Sequence, residues 1–342
     1  MSRYRSAARR VLLGGMSILI ALPVVLRAQN LAASPCPAGT TNALGIPDQA
    51  RAAQDACTQA YDLFQFMSPQ LGISLAGGNA ILGQGSTVGG IGHLSVGLRA
   101  NVLAGLLPDV STFTQSTSGA RRSTLTTKNQ LLGLPTADAA IGIFKGFPLP
   151  LTNVGGVDLL VSAAYVPTID ASNVKITPSQ SLQLGYGLRV GLLQESIAVP
   201  GVSVTYLKRD LPQTTIVGSA GSNSLNVSNA KVNTTAWRVV AGKSLLVLNL
   251  AAGVGQDKYE QSADISASVS GTFSGTSSVP GTSQSLTRTN YFLDASLNLL
   301  LLKIVGEVGQ VSGGTVNTFN SFSGGSADRS LSYFSIGGRL GW

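Results

Sequence analysis

From residue 91 to its last residue the chain repeatedly alternates apolar and polar side chains, and this alternation limits the possible folds more than any other feature. Leu94, Val96, Leu98, Ala100 and Val102 alternate with Ser95, Gly97, Arg99 and Asn101. Leu182, Leu184, Tyr186, Leu188, Val190 and Leu192 alternate with Gln183, Gly185, Gly187, Arg189 and Gly191. The pattern returns over 137–145, 157–166, 202–209, 233–242, 245–257, 289–299, 302–311 and 331–342. A period of two is that of a β-strand with one apolar and one polar face. Most of these runs are longer than the roughly 5–6 residues usual in soluble sandwiches. The chain is 44% hydrophobic and only 11% charged, which argues against disorder. After the N-terminus, no apolar run reaches the about 18 residues that a spanning helix needs.

The connectors fall into two classes. Those at 193–200, 243–244 and 300–301 are short, whereas 167–180, 210–231, 258–288 and 312–328 are long and rich in Ser, Thr, Gly and Asn. Short turns at one end and long loops at the other are the signature of an antiparallel transmembrane β-barrel. With the C-terminus placed in the periplasm, the long connectors face outward. Ten strands read directly; the weaker segments 71–80 and 109–117 bring the expected number to about 12, with 10 or 14 as alternatives.

The N-terminus has a different character. Arg3, Arg5, Arg9, Arg10 and Arg27 flank an apolar run from Val11 to Val25, and Ala28 supplies a small residue for cleavage. Residues 1–28 therefore read as a secretory signal peptide. The formal charge of +8 is misleading, because without those five arginines 18 basic groups face 15 acidic ones. A near-balanced mature chain removes the case for a nucleic-acid partner. Cys36 and Cys57 are the two cysteines of an exported chain, which favours one disulfide. Residues 47–67 read as a helix that Pro47 starts and Pro69 stops, with Ala53, Cys57, Ala60, Tyr61 and Phe64 at helical spacing. Residues 29–69 form an N-terminal periplasmic or plug segment in this reading, and residues 70–342 the barrel.

The chain ends Ser335-Ile336-Gly337-Gly338-Arg339-Leu340-Gly341-Trp342. Ser335, Gly337, Leu340 and Trp342 resemble the terminal assembly signal of Gram-negative outer-membrane β-barrel proteins. That resemblance implies an outer-membrane location and recognition by the barrel-assembly machinery. The plan of an N-terminal segment followed by a barrel, with Asn79 after Gly77-Gly78, is also similar to that of outer-membrane fatty-acid transporters. Ala80 stands where those have Pro, and no ligand residue is carried over.

If the apolar faces meet lipid, the polar faces line the lumen. Arg99, Asp138, Asp158, Arg189, Arg238, Asp294, Glu307 and Arg339 would lie there, four of each sign. A charge-selective pore calls for an excess of one sign, so balance favours pairing across a narrow lumen. Gly97, Gly185, Gly187, Gly191, Gly253, Gly255 and Gly337 share that face. Either the sheet bends sharply there, or something packs against it, with the 47–67 helix available as a plug.

Catalysis has little support. His93 is the single histidine, and Asp257 and Glu260 read as solvated loop charges. One His and two Cys exclude the usual zinc sets, and no cofactor is implied. The expectation is a non-enzymatic outer-membrane barrel for passive transport of small or hydrophobic solutes. Its partners would be membrane lipid, the assembly machinery and a small hydrophobic ligand. The alternative is a structural or surface-interaction barrel with a closed lumen.

Overall fold

A computed structural model describes residues 33–38, 40–41, 47–171, 174–220, 223–270 and 274–341. The signal peptide reading and Trp342 lie outside the described residues. Ten long strands close a ring: β1 (Leu94–Pro108), β2 (Thr127–Phe144), β3 (Gly156–Tyr165), β4 (Leu182–Leu193), β5 (Gly201–Asp210), β6 (Asn223–Leu245), β7 (Leu248–Ser270), β8 (Ser274–Leu299), β9 (Leu302–Val311) and β10 (Leu331–Gly341). Each pairs antiparallel with its neighbour in sequence, and β10 closes on β1 with Ile336 opposite Ala100. No edge is left between first and last strand, which removes the exposed ladder of an open sheet.

The ring has the lowest of the three strand numbers considered, because the two weaker candidates are not strands. Residues 109–117 hold one 3-10 turn, Val110–Thr112. Residues 71–76 belong to helix α1 (Pro47–Ala76), which continues through Pro69. Proline stops helices in water because a carbonyl loses its donor. Here the turn around Pro69 is held by the wall: Gln261 Nε2 donates to Ser68 O at 2.6 Å, and Gln70 Nε2 donates to Leu106 O at 3.0 Å. Residues 70–93, expected in the barrel, therefore precede the first wall strand at Leu94.

The outward face carries the apolar side chains. Leu98, Leu184, Leu188, Leu293, Val308 and Ile336 are exposed on five different strands. Tyr165, Tyr186, Tyr206, Trp237 and Tyr291 are exposed near one rim, with Tyr206 opposite Trp237. Aromatic girdles of this kind mark the edge of an outer-membrane apolar band. Above that rim β6, β7 and β8 continue as a tower. On β7 the outward residues change from Leu250, Ala252 and Val254 to Gln256, Lys258 and Glu260. Its inward residues change from Asn249 and Asp257 to Ala263, Ile265 and Ala267, all buried. The alternation keeps its phase while its polarity inverts.

The tower corrects the reading of 210–231 and 258–288 as long loops. Their inward residues are small and hide among serines, but α1 covers them. Cys36, Cys57, Ala60 and Phe64 pack on Ala263, Ile265 and Ala267. Cys36 and Cys57 form a disulfide there. The short strand Thr40–Thr41 pairs with Thr276 and Gly275 near the tower tip. The N-terminal segment thus lies at the long-connector end, and α1, about 45 Å long, runs from there into the ring.

Candidate functional site: the occupied lumen

A helix end carries carbonyls without intrahelical partners and a partial negative charge. The C-terminus of α1 stops inside the ring, and wall cations meet it. Arg209 Nη1 donates to Ala76 O at 2.7 Å. Arg238 Nη2 donates to Gly77 O at 2.7 Å, and Asn290 Nδ2 donates to the same carbonyl at 2.8 Å. One turn back, Asn101 Nδ2 donates to Ser74 O at 3.1 Å. Just beyond, Arg99 Nη1 donates to Asn79 O at 2.7 Å.

Wall carboxylates balance these guanidinium groups. Asp138 sits between Arg99 at 2.8 Å and Arg209 at 2.7 Å. Asp257 pairs with Arg238 at 2.7 Å and also accepts from Asn290 and Tyr259. Asp257 is fully buried, so its reading as a solvated loop charge is corrected. Its strand alternation runs on through the segment taken for a loop.

Below the helix, residues 77–93 line the lumen down to the short-turn end. Asn79 N donates to Glu307 at 2.7 Å, and Asn79 Nδ2 donates to Asp294 at 2.7 Å. Gly83 N donates to Asp294 at 3.0 Å, and Asn249 Nδ2 donates to Gly83 O at 2.7 Å. Val88 N reaches Asp158, which pairs with Arg189 at 2.8 Å. Arg339 bonds Gln84. All eight lumen residues expected from the sequence are buried, and each reaches the threaded segment directly or through a paired group, Arg189 through Asp158. A cavity of about 10 Å³ beside Ile81, Leu82, Arg99 and Asp138 has room for about one water.

Arg209, Asp257, Asn290 and Asn101 were missed. Each lies within an alternating run already read from the sequence, on its inward parity. The inward glycines serve both the wall and the plug. A Cβ on Gly337 would lie 2.9 Å from Arg99 Cβ, and one on Gly255 would lie 2.6 Å from Arg238 Cγ. A backbone carbonyl of the neighbouring strand lies closer still, Leu98 O at Gly337 and Trp237 O at Gly255, so these glycines allow close approach of that strand with its arginine side chain beside it. Gly191 instead makes room for the plug, with Thr87 Cγ2 at 3.0 Å from a Cβ there.

At the long-connector end two acids of α1 hold the loops down. Asp55 accepts from the backbone N–H groups of Ser116 and Arg121 at 2.9 and 2.8 Å. Asp62 accepts from the backbone of Phe319 and Asn320 at 2.9 and 2.7 Å. Burial raises the pKa of Asp62 to about 6 against these hydrogen bonds, and burial raises Asp55 as well. Phe66 stacks on Phe322 with ring centroids 4.0 Å apart. The residues 109–117 expected as a strand are part of this lid.

Within the C-terminal motif, Ser335 is buried and bonds Asn101 at 2.6 Å and Glu307 at 3.0 Å. Leu340 points outward, and Gly337 lies against Arg99.

These features define a closed ten-stranded antiparallel β-barrel filled by its own N-terminal chain. Similar solved structures are outer-membrane barrels. The toluene transporter TodX of Pseudomonas putida matches at 10% identity with a TM-score of 0.28, covering 78% of this chain and 96% of its own. OmpT of Vibrio cholerae matches at 12% identity and a TM-score of 0.20, covering 73% and 97%. An anion-selective porin from Comamonas acidovorans matches at 10% identity and 0.17, covering 73% and 98%. No protein-family model and no curated protein matches the chain. One expectation is corrected: the exclusion of enzymatic activity is withdrawn, and likeness this distant assigns no reaction.

Proposed function

We propose that this chain is an outer-membrane barrel closed by its own N-terminal segment, which works at its outer end and is not an open diffusion pore. The observation that carries the reading is the continuous occupation of the lumen by α1 and residues 77–93, bonded to the wall at every level. The exposed apolar belt and aromatic girdle support the membrane location, since soluble proteins avoid apolar patches of this extent. The barrel-assembly machinery and outer-membrane lipid are its partners in this reading. The barrel anchors what stands at the long-connector end: the disulfide-bonded N-terminal segment, the lid loops and the hydroxyl-rich tower.

Passive transport of small or hydrophobic solutes, the function favoured by the sequence, requires the plug to move. Planar-bilayer conductance decides between the two. The full chain is expected to conduct poorly. A variant lacking Leu31 to Ser68 but keeping the leader tests whether the remaining lumen opens. A large steady conductance of the full chain, unchanged by the deletion, refutes the closed reading.

A further inference from the structure

Two hairpins at the short-turn end break a local rule in the same way. β6 and β7 are joined by Leu246-Val247, and β8 and β9 by Leu300-Leu301. The first residue of each turn has positive φ, +57° at Leu246 and +56° at Leu300. Glycine or asparagine is the usual occupant of such a position, because a branched side chain crowds the left-handed backbone. Leucine stands there twice, 97% and 99% exposed. Neither side chain packs on the protein in return for the strain.

The height of the apolar belt gives the reason. Trp237 in the girdle and Leu246 are nine positions apart, as are Tyr291 and Leu300. At about 3.3 Å per residue and a tilt near 40°, each interval spans roughly 23 Å along the barrel axis. The apolar band of an outer-membrane barrel is about 25 Å tall. The strands thus reach across the band only when the turn leucines are counted in it. Val247, Leu301 and Ile197 are also exposed on this rim.

The backbone at this rim is prepared for a medium poor in water. Asn298 N donates to Val247 O at 2.8 Å. Lys243 Nζ donates to the carbonyls of Ser196 and Ile197, the latter at 2.9 Å. Glu195 accepts from Ser244 N at 2.5 Å and so turns its charge onto the protein. Turn carbonyls left to bulk water need no such partners, whereas carbonyls near acyl chains do.

We infer that the short-turn rim is set into the lipid at the boundary between headgroups and acyl chains, with Leu246 and Leu300 as the inserted tips. This rests on the membrane reading above, and the experiment separates the two. A nitroxide label is placed at Leu246→Cys or Leu300→Cys, with Val254→Cys in the belt and Glu260→Cys on the tower as references. The full chain is reconstituted in phosphatidylethanolamine–phosphatidylglycerol vesicles. Collision with oxygen and with a water-soluble nickel chelate reports depth. Both turn sites are expected to side with Val254. If Val254 reads as lipid while both turn sites read as water, the insertion is overturned and the barrel reading stands. If Val254 itself reads as water, the membrane reading falls and takes the insertion with it. As a second measurement, the Leu246→Asn/Leu300→Asn variant relaxes the backbone while removing the apolar tips. Its insertion into vesicles is expected to slow several-fold, and unchanged or faster insertion overturns the inference.

Discussion

Arg238→Ala is the sharpest perturbation of the plug. The side chain is 1% exposed and joins three elements. It donates to Gly77 O at the end of α1 and to Asp257 on β7, both at 2.7 Å. Truncation leaves Asp257 buried with only Asn290 and Tyr259 as donors, and Gly77 O with only Asn290. Each hydrogen bond from a charged group contributes about 1.5–3 kcal/mol. Breaking a buried ion pair by removing one partner costs about 3–5 kcal/mol. The expected loss is therefore about 3–5 kcal/mol in a urea titration of the barrel in detergent. Arg238→Met/Asp257→Leu removes both charges and is expected to recover most of that loss. It does not restore the donor to Gly77 O, so limited proteolysis of α1 is expected to be faster in both variants than in the parent. A loss under about 1 kcal/mol in the single variant would refute the argument. So would a double variant no more stable than the single, or proteolysis of α1 unchanged in both.

Gly72 faces Tyr259, and a Cβ there would lie 2.7 Å from the ring. Alanine normally stabilises a helix over glycine by about 1 kcal/mol, but overpacking costs about 1–3 kcal/mol, so Gly72→Ala is expected to lower the melting temperature; a rise would show that the plug is not held against Tyr259. Asp62 has its folded pKa raised from 3.8 to about 6, so its contribution to stability is fully present below 3.8 and lost as pH rises through about 6. Melting curves of the parent are expected to lose stability across that window, and Asp62→Asn to flatten the dependence; parallel curves would count against the buried lid contact. An epitope inserted after Ala33 is expected to behave in intact cells like one placed between Ser270 and Ser274, and unlike one after Leu246. If it groups with the Leu246 site instead, the N-terminal segment does not emerge at the tower end. Leu340→Asp is expected to lower membrane insertion, because Leu340 is exposed on the lipid-facing side and a charge there costs up to about 2–4 kcal/mol near the midplane; normal insertion in a fractionation assay would contradict this placement.

Alternation along single strands determined a great deal by itself. Leu94 to Val102 and Leu182 to Leu192 specify strand, facing and an apolar exterior, because the period of two is a property of the local backbone. The same parity assigned Arg99, Asp138 and Arg238 to the interior before any partner was known, and spacing located Cys36 and Cys57 in the N-terminal segment. Tertiary structure decided the rest, wherever the cause lies across the chain. Pro69 ends a helix in water but not against Gln261 and the lumen wall. Ser-rich 258–288 reads as loop, yet Ala263, Ile265 and Ala267 are strand residues because α1 covers them. Arg209 became part of the site because the helix ends where its guanidinium can reach Ala76 O. A short-range pattern records which face a residue takes; what stands opposite that face, and whether it is lipid, water or the chain's own N-terminus, is set by closure of the ring.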